Sequence, residues 1–188
     1  MAIREIIEVP DPRLKQVSAP VTAFDDELKT LVADMFETMY DAPGIGLAAI
    51  QVGVPLRVLV IDLHEPDPEA EAEHCDDHGC GHDHRPIKPN PRVFINPEIL
   101  EESEEESVYN EGCLSVPEQY ADVVRPATVR ARWLDEKGES HDEQLEGLLA
   151  TCLQHEMDHL EGILFVDHLS RLKRDMLLKK LTKLRRAG

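Results

Sequence analysis

Residues 147–160 read GLLATCLQHEMDHL and define the central element of the chain. Its apolar residues recur at helical spacing, so we predict an amphipathic helix that Gly162 ends. His155 and His159 are four residues apart, so both imidazoles lie on one helix face and can reach one metal ion. Glu156 can act on a metal-bound water without binding the metal. The alternative is a pair of surface histidines on an acidic helix, but the apolar residues around the motif place it near buried surface.

A catalytic metal site needs a third protein ligand and an open position. Glu161 follows the two histidines too closely, and His168 lies beyond a glycine break. The better candidate is Cys113 in EGCLSVP, residues 111–117, where a cysteine follows glycine between a polar segment and a proline. The alternative for Cys113 is a small buried thiol in a strand.

The segment GIGLAAIQVG, residues 44–53, has two glycines followed by small residues, which permits close approach to the backbone. No Gly-Lys-Ser/Thr follows, so it is not a phosphate loop, and it does not open a helix after a strand as a dinucleotide site requires. Taken alone, the segment indicates a tight turn before the next strand.

The rest of the chain predicts an α+β fold in one domain over residues 1–188. We expect short antiparallel sheets packed around a central helix that carries the HExxH motif, with an N-terminal helix and a C-terminal amphipathic helix. The helices besides 147–160 are predicted at residues 25–40 and 170–188. Strands are predicted at residues 56–63, 93–100, 128–134 and 163–166, with a further polar strand after the Lys137-Gly138 turn.

Residues 65–91 are rich in Pro, Asp, Glu and His and predict a long loop inserted between two strands. Within it, six potential metal ligands crowd together: His74, Cys75, His78, Cys80, His82 and His84. One hypothesis is a second, flexible metal-binding tract that captures or buffers the catalytic ion. The alternative is a solvated loop without a role.

Composition and charge limit the classes of protein to consider. The formal charge of −18 disfavours general affinity for nucleic acid. Residues 170–188 nevertheless carry eight basic side chains and one acidic one, which suggests an anionic partner or a solvated helix face. Four cysteines are too few for a disulfide framework. With no leader or membrane span in the sequence, we expect a cytoplasmic protein.

Three segments together resemble the peptide deformylase family closely: GIGLAAIQ, EGCLS and QHEMDH match its three signature motifs in order. The similarity extends to MFETMY, INPEIL and the terminal helix, and only residues 65–91 fall outside it. The resemblance implies a metal-dependent hydrolase that removes the formyl group from the N-terminal methionine of new proteins and releases formate.

The resemblance also implies roles for individual residues. Cys113, His155 and His159 would bind one divalent ion, Fe(II) in cells and Zn(II), Ni(II) or Co(II) in purified samples. Glu156 would transfer the proton between water and the leaving amine. The oxyanion would be stabilised by the Gln51 side-chain amide and the Leu114 backbone N–H.

By the same resemblance, the substrates are N-formylmethionyl nascent peptides. The peptide would pair as an added strand with backbone near Ile45, Gly46 and Gly112. The methionine pocket would be formed by Ile45, Tyr109, Leu148, Thr151 and Cys152, and members of the family often carry aliphatic residues at positions 109 and 151. The excess of basic side chains in residues 170–188 leads to the separate hypothesis that this helix docks to the ribosome, and we expect a monomer.

Two other readings compete with this one. A zinc peptidase shares HExxH, but the EGCLS element and the lack of a downstream third ligand oppose it. A deformylase-like protein that binds peptides without catalysis should have lost a ligand or the base, whereas Gln51, Cys113, His155, Glu156 and His159 are all present.

Overall fold

The computed structural model describes residues 2–66 and 87–187. These residues form three α-helices and seven β-strands, with short 3₁₀ turns between some of them. The helices are α1 (Asp26–Asp41), α2 (Gly147–Leu160) and α3 (Arg171–Ala187). The strands are β1 (Gly46–Ala48), β2 (Val58–Ile61), β3 (Arg92–Glu102), β4 (Glu106–Cys113), β5 (Val116–Pro126), β6 (Thr128–Leu134) and β7 (Ser140–Glu146).

Among the described strands, all pairs are antiparallel and form two separate sheets. The first has five strands in the order β1-β2-β3-β6-β7, and the second is the β4-β5 hairpin. The α+β prediction with short antiparallel sheets is therefore confirmed.

The five-stranded sheet is covered by a helix on each face. In β2, Leu59 and Ile61 pack in the cluster that contains α2, whereas Val58 and Val60 pack in the cluster that contains α1. All four side chains are buried, which explains the continuous apolar run of β2. The sheet thus holds α2, with His155 and His159, on one of its faces.

The β4-β5 hairpin packs on the C-terminal part of the chain. Val116 and Val123 of β5 share a buried cluster with Leu164, Phe165 and Val166 and with Leu181 of α3. Cys113, at the end of β4, packs against this cluster, and its Sγ contacts His159 of α2.

The strand predicted at residues 163–166 is wrong. Phe165–His168 is a 3₁₀ turn, and the Asp167 carboxylate accepts a hydrogen bond of 2.9 Å from the Leu164 N–H. Leu164, Phe165 and Val166 are buried under the hairpin and α3 without a partner strand in the described part of the chain. Apolar runs of this length do not distinguish a strand from a buried turn.

The predicted turn at residues 44–53 contains regular structure. Gly46–Ala48 forms the short edge strand β1, and Ala49–Val52 forms a 3₁₀ turn that ends at Gly53, whose φ is +81°. The predicted insertion joins neighbouring strands β2 and β3, and most of it, including the predicted metal-binding tract from His74 to His84, lies outside the described residues.

Candidate active site

The end of β4 and one face of α2 bring three potential metal ligands together. Cys113, His155 and His159 each offer a ligand atom within 4.8 Å of the others. The Cys113 Sγ lies 3.2 Å from the His159 Nε2. One sulfur and two nitrogens that bind the same tetrahedral ion lie roughly 3.5 Å from one another. The spacing of these three side chains therefore fits a divalent metal.

Their surroundings shift the pKa values of the two histidines in opposite directions. Burial lowers the pKa of His159 well below its usual value, which keeps the ring neutral, as a metal ligand must be. Burial also opposes protonation of His155, but hydrogen bonds to Cys113 and Glu111 outweigh it and raise the pKa of His155. The negative groups that favour a proton on His155 would also favour a metal cation beside the ring.

Glu111 and Arg125 support His155, and neither was assigned a role from the sequence. The Glu111 Oε2 lies 2.8 Å from the His155 Nδ1, which leaves Nε2 to face the ligand cluster. Arg125 donates to both carboxylate oxygens of Glu111 at 2.6 and 3.0 Å. Desolvation alone would raise the pKa of Glu111, but these contacts lower it to about 2. The sequence does contain one signal for Glu111. It lies two residues before Cys113, and this spacing puts both side chains on one face of a strand.

Glu156 lies next to the cluster as a nearly unpartnered acid. Its Oε2 is buried and makes no hydrogen bond within the described residues, and its Oε1 lies against the backbone of Gly46. A Cβ added to Gly46 would come within 2.4 Å of that oxygen, so only glycine leaves room for the carboxylate. Burial raises the pKa of Glu156 to about 7, where the group can both accept and release a proton near neutral pH.

Gln51 is held in a single orientation beside Cys113. Its Oε1 accepts from the Ala48 N–H at 2.8 Å, and its Nε2 donates to the Ser115 Oγ at 3.0 Å. The same Nε2 lies 3.5 Å from the Cys113 Sγ, so one amide N–H is directed toward the ligand cluster. Ser115 was not predicted as a site residue, although it belongs to the EGCLS motif.

The predicted site residues converge on one open cleft of about 430 Å³. It is bounded by the start of β1 on one side and the end of β4 on the other. Every predicted residue except His159 lines it: Ile45, Gly46, Gln51, Tyr109, Gly112, Cys113, Leu114, Leu148, Thr151, Cys152, His155 and Glu156. His159 lies beneath the others and is 1% exposed. Residues that sequence reasoning did not include also line the cleft, notably Tyr120, whose ring covers Gly112.

Comparison with known proteins agrees with this geometry. The family model described as polypeptide deformylase matches residues 3–175. The chain belongs to the peptide deformylase family. The peptide deformylase of Novosphingobium aromaticivorans is 78% identical over 188 residues, and that of Rhizorhabdus wittichii is 71% identical over 187 residues. These alignments cover all of this chain and 100% and 98% of those relatives.

Solved peptide deformylase structures have the same fold. The crystal structure from Legionella pneumophila is 46% identical with a TM-score of 0.83, covering 99% of this chain and 97% of that one. The Ehrlichia chaffeensis enzyme in complex with actinonin is 39% identical with a TM-score of 0.84, covering 99% of both chains.

These comparisons confirm the predicted family, its enzymatic nature and N-terminal deformylation as the reaction. Peptide deformylases are metal-dependent and act on nascent peptides, and the cluster of Cys113, His155 and His159 gives this chain a possible metal site. Among the described residues, no helix is both long and apolar enough to cross a membrane.

Proposed function

We propose that this peptide deformylase binds its catalytic metal through Cys113, His155 and His159 and hydrolyses the formamide bond in the cleft between β1 and β4. The observation that carries the proposal is the convergence of a thiol, two imidazoles and a buried carboxyl group from separate elements. A divalent ion held by these ligands would supply Lewis-acid activation of water and of the formyl oxygen.

Glu156 is the proton-transfer group in this proposal. It takes a proton from the attacking water and returns it to the nitrogen of the leaving methionine, so that formate and a free amine are released. Its raised pKa and its position against Gly46, inside the cleft, support the role.

Gln51 and Leu114 stabilise the oxyanion that develops on the formyl group. The Gln51 amide is preorganised by Ala48 and Ser115, so it needs little rearrangement during the reaction. The Leu114 backbone N–H follows Cys113 directly, which would place it beside the same oxygen. Loss of one such donor typically lowers the rate by about 10²–10³-fold.

The peptide binds as an extended strand between two strand edges. Within the described residues, β1 pairs only with β2 and β4 only with β5, so each has an edge available at the cleft. Ile45, Gly46 and Gly112 would pair with the substrate backbone, as in strand addition. The methionine side chain would enter the pocket of Ile45, Tyr109, Leu148, Thr151 and Cys152.

The test is formate release from formyl-Met-Ala-Ser by parent protein and a Glu156→Ala variant, each with measured metal content. We expect turnover by the parent and a loss on the order of 10³-fold or more in the variant, since general acid–base catalysis contributes about 10²–10⁴-fold. Comparable turnover by both proteins at equal metal occupancy would refute the role of Glu156.

We also propose Fe(II) as the metal in cells, with Zn(II), Ni(II) or Co(II) replacing it in purified protein, because a site with one thiolate and two imidazoles accepts all four. Metal analysis after anaerobic and aerobic purification tests this. Iron in both preparations at equal amounts would contradict the expected replacement.

Docking to the ribosome through α3 is a further part of the proposal. Arg174 and Arg185 are engaged with Asp167 and Glu8, whereas Lys173, Lys179, Lys180 and Lys183 are exposed. We expect these four lysines to contact ribosomal RNA phosphates. Truncation at Ser170 is a poor test because it removes the buried Leu181.

A variant with the four lysines changed to alanine is the sharper test. Ribosome affinity should fall, and the slope of log affinity against log salt should decrease by up to about one per lysine. Unchanged affinity at low salt would exclude α3 as the docking element.

We further propose that the protein is a cytoplasmic, single-domain monomer. Sedimentation would test the monomer, and a single cooperative unfolding transition would test the single domain.

A further inference from the structure

A chain of polar side chains leads from His155 through the buried Glu111 and Arg125 to the exposed His168. Glu111 contacts the His155 ring at 2.8 Å, and Arg125 holds both Glu111 oxygens. Arg125 also donates to Asp158 at 2.9 Å, and Asp158 lies 2.7 Å from the Nε2 of His168. The described structure therefore joins four side chains in sequence behind one ligand of the proposed metal site.

Arg125 is the centre of this chain. It lies on the face of β5 turned toward α2, and its side chain is 6% exposed. Its two partners adjoin His155 from different elements: Glu111 from β4 and Asp158 from the next turn of α2. The guanidinium thus connects the strand that carries Cys113 with the helix that carries both histidines.

We propose that Arg125 is a positioning residue for the metal site: its guanidinium holds Glu111 against the His155 ring and so sets the orientation and affinity with which His155 binds the ion. The inference rests on the proposed function, since it takes His155 as a ligand. Only arginine has a planar fork that can bind one carboxylate with two hydrogen bonds while it donates to another. Lysine keeps the charge but cannot reproduce both contacts.

A purely structural role would have a different signature. Loss of a buried ion pair would lower the free energy of unfolding without changing how the ion is coordinated. Groups that orient a ligand from behind, in contrast, typically change metal affinity or activity by about 10- to 100-fold when replaced. Coordination must therefore be measured directly, in folded protein.

The experiment compares the parent with Arg125→Lys and Glu111→Gln, each loaded with Co(II). The dissociation constant is measured by competition with a chelating dye, and the visible absorption spectrum reports Co(II) geometry and its bond to the thiolate. We expect a dissociation constant about 10- to 100-fold higher in both variants and altered Co(II) bands. We also expect kcat to fall more than KM rises, because the peptide-binding residues remain in place.

Arg4→Lys is the matched control, because Arg4 also donates two hydrogen bonds to a mostly buried carboxylate, that of Asp34. It should lower the melting temperature while leaving Co(II) affinity and spectrum unchanged. Folding of every variant is checked by circular dichroism, and Glu111→Gln carries the test if Arg125→Lys does not fold. Co(II) affinity and spectra within twofold of the parent, or equal changes in Arg4→Lys, would overturn the inference. If the parent itself fails to bind Co(II) through a thiolate, the proposed metal site is wrong instead.

Discussion

At the scale of single residues, Glu156 combines deep burial with the lack of a hydrogen-bond partner at Oε2 among the described residues. A buried carboxyl oxygen without a partner lowers the stability of the folded state. Such a group is typical of an active site, where water and substrate provide the missing hydrogen bonds. Gly46 completes this arrangement, because its missing side chain leaves the space that the carboxylate occupies.

The pKa of Glu156 predicts the acid limb of the activity profile. Burial raises this pKa to about 7, and a base works only when deprotonated, so kcat/KM should fall tenfold per unit as pH drops below the pKa. A bound cation favours the carboxylate and can only move the limb to lower pH. The measurement is kcat/KM from pH 5 to 9 at constant metal occupancy. A limb centred above pH 8 would show that another group controls activity.

Gly46→Ala should impair catalysis more than stability. The added Cβ would meet the Glu156 Oε1 at 2.4 Å and the Cys152 Sγ at 2.8 Å, so the carboxylate must move. A displacement of this kind can cost about 10²-fold in kcat. Gly138→Ala serves as the control, because φ is +80° there but the nearest atom is 3.7 Å away, in Phe24. It should lose about 1 kcal/mol of stability and keep its kcat.

At the scale of secondary-structure elements, the sequence predicted the helices and strands whose apolar residues recur at one regular spacing. The bounds of α2 and β6 agree with the prediction, because an apolar stripe and strict alternation define them. The β4-β5 hairpin was missed: its outer face is exposed, its inner face carries polar groups such as Glu111 and Arg125, and Pro117 and Pro126 interrupt the pattern. The contacts around His155 were missed with it, since they depend on strands paired across the hairpin.

The start of α1 offers a direct test at this scale. Asp25 caps the helix through its Oδ1, which accepts from the N–H groups of Glu27 and Leu28 at 3.1 and 3.0 Å. Asp25→Ala should lower the free energy of unfolding by about 1 kcal/mol. Asp26→Ala, which removes an exposed first-turn carboxylate without a capping bond, should cost less. Equal losses in urea titrations of the two variants would argue against the cap.

At the scale of the whole molecule, the proposed ligands come from separately packed parts. Cys113 belongs to the hairpin, which packs on α3, whereas His155 and His159 belong to α2, which packs on the five-stranded sheet. An ion bound by all three ligands would connect these parts. Binding of that ion would therefore stabilise the native state.

Metal removal should therefore lower the melting temperature. At an ion concentration 1,000-fold above the dissociation constant, binding contributes about 4 kcal/mol, which corresponds to a shift on the order of 10 °C for a chain of this size. The measurement is thermal unfolding with and without a chelator. Cys113→Ala should lose most of this difference. A chelator shift of the same size in that variant would place the stabilising ion elsewhere.

The contacts between the two ends of the segment that joins β2 and β3 have a practical consequence for protein engineering. Pro66 pairs with Ile87, the Lys88 N–H donates to the Glu65 carbonyl, and Asp62 accepts from the N–H groups of His64 and Asn90. These contacts hold the two ends of the connecting segment close together. Doubling the number of residues between the ends should therefore lower the free energy of unfolding by only roughly 0.6 kcal/mol. A reporter domain with neighbouring termini, grafted between Pro66 and Ile87, would therefore join the folded enzyme at a position that shares no described residue with the cleft.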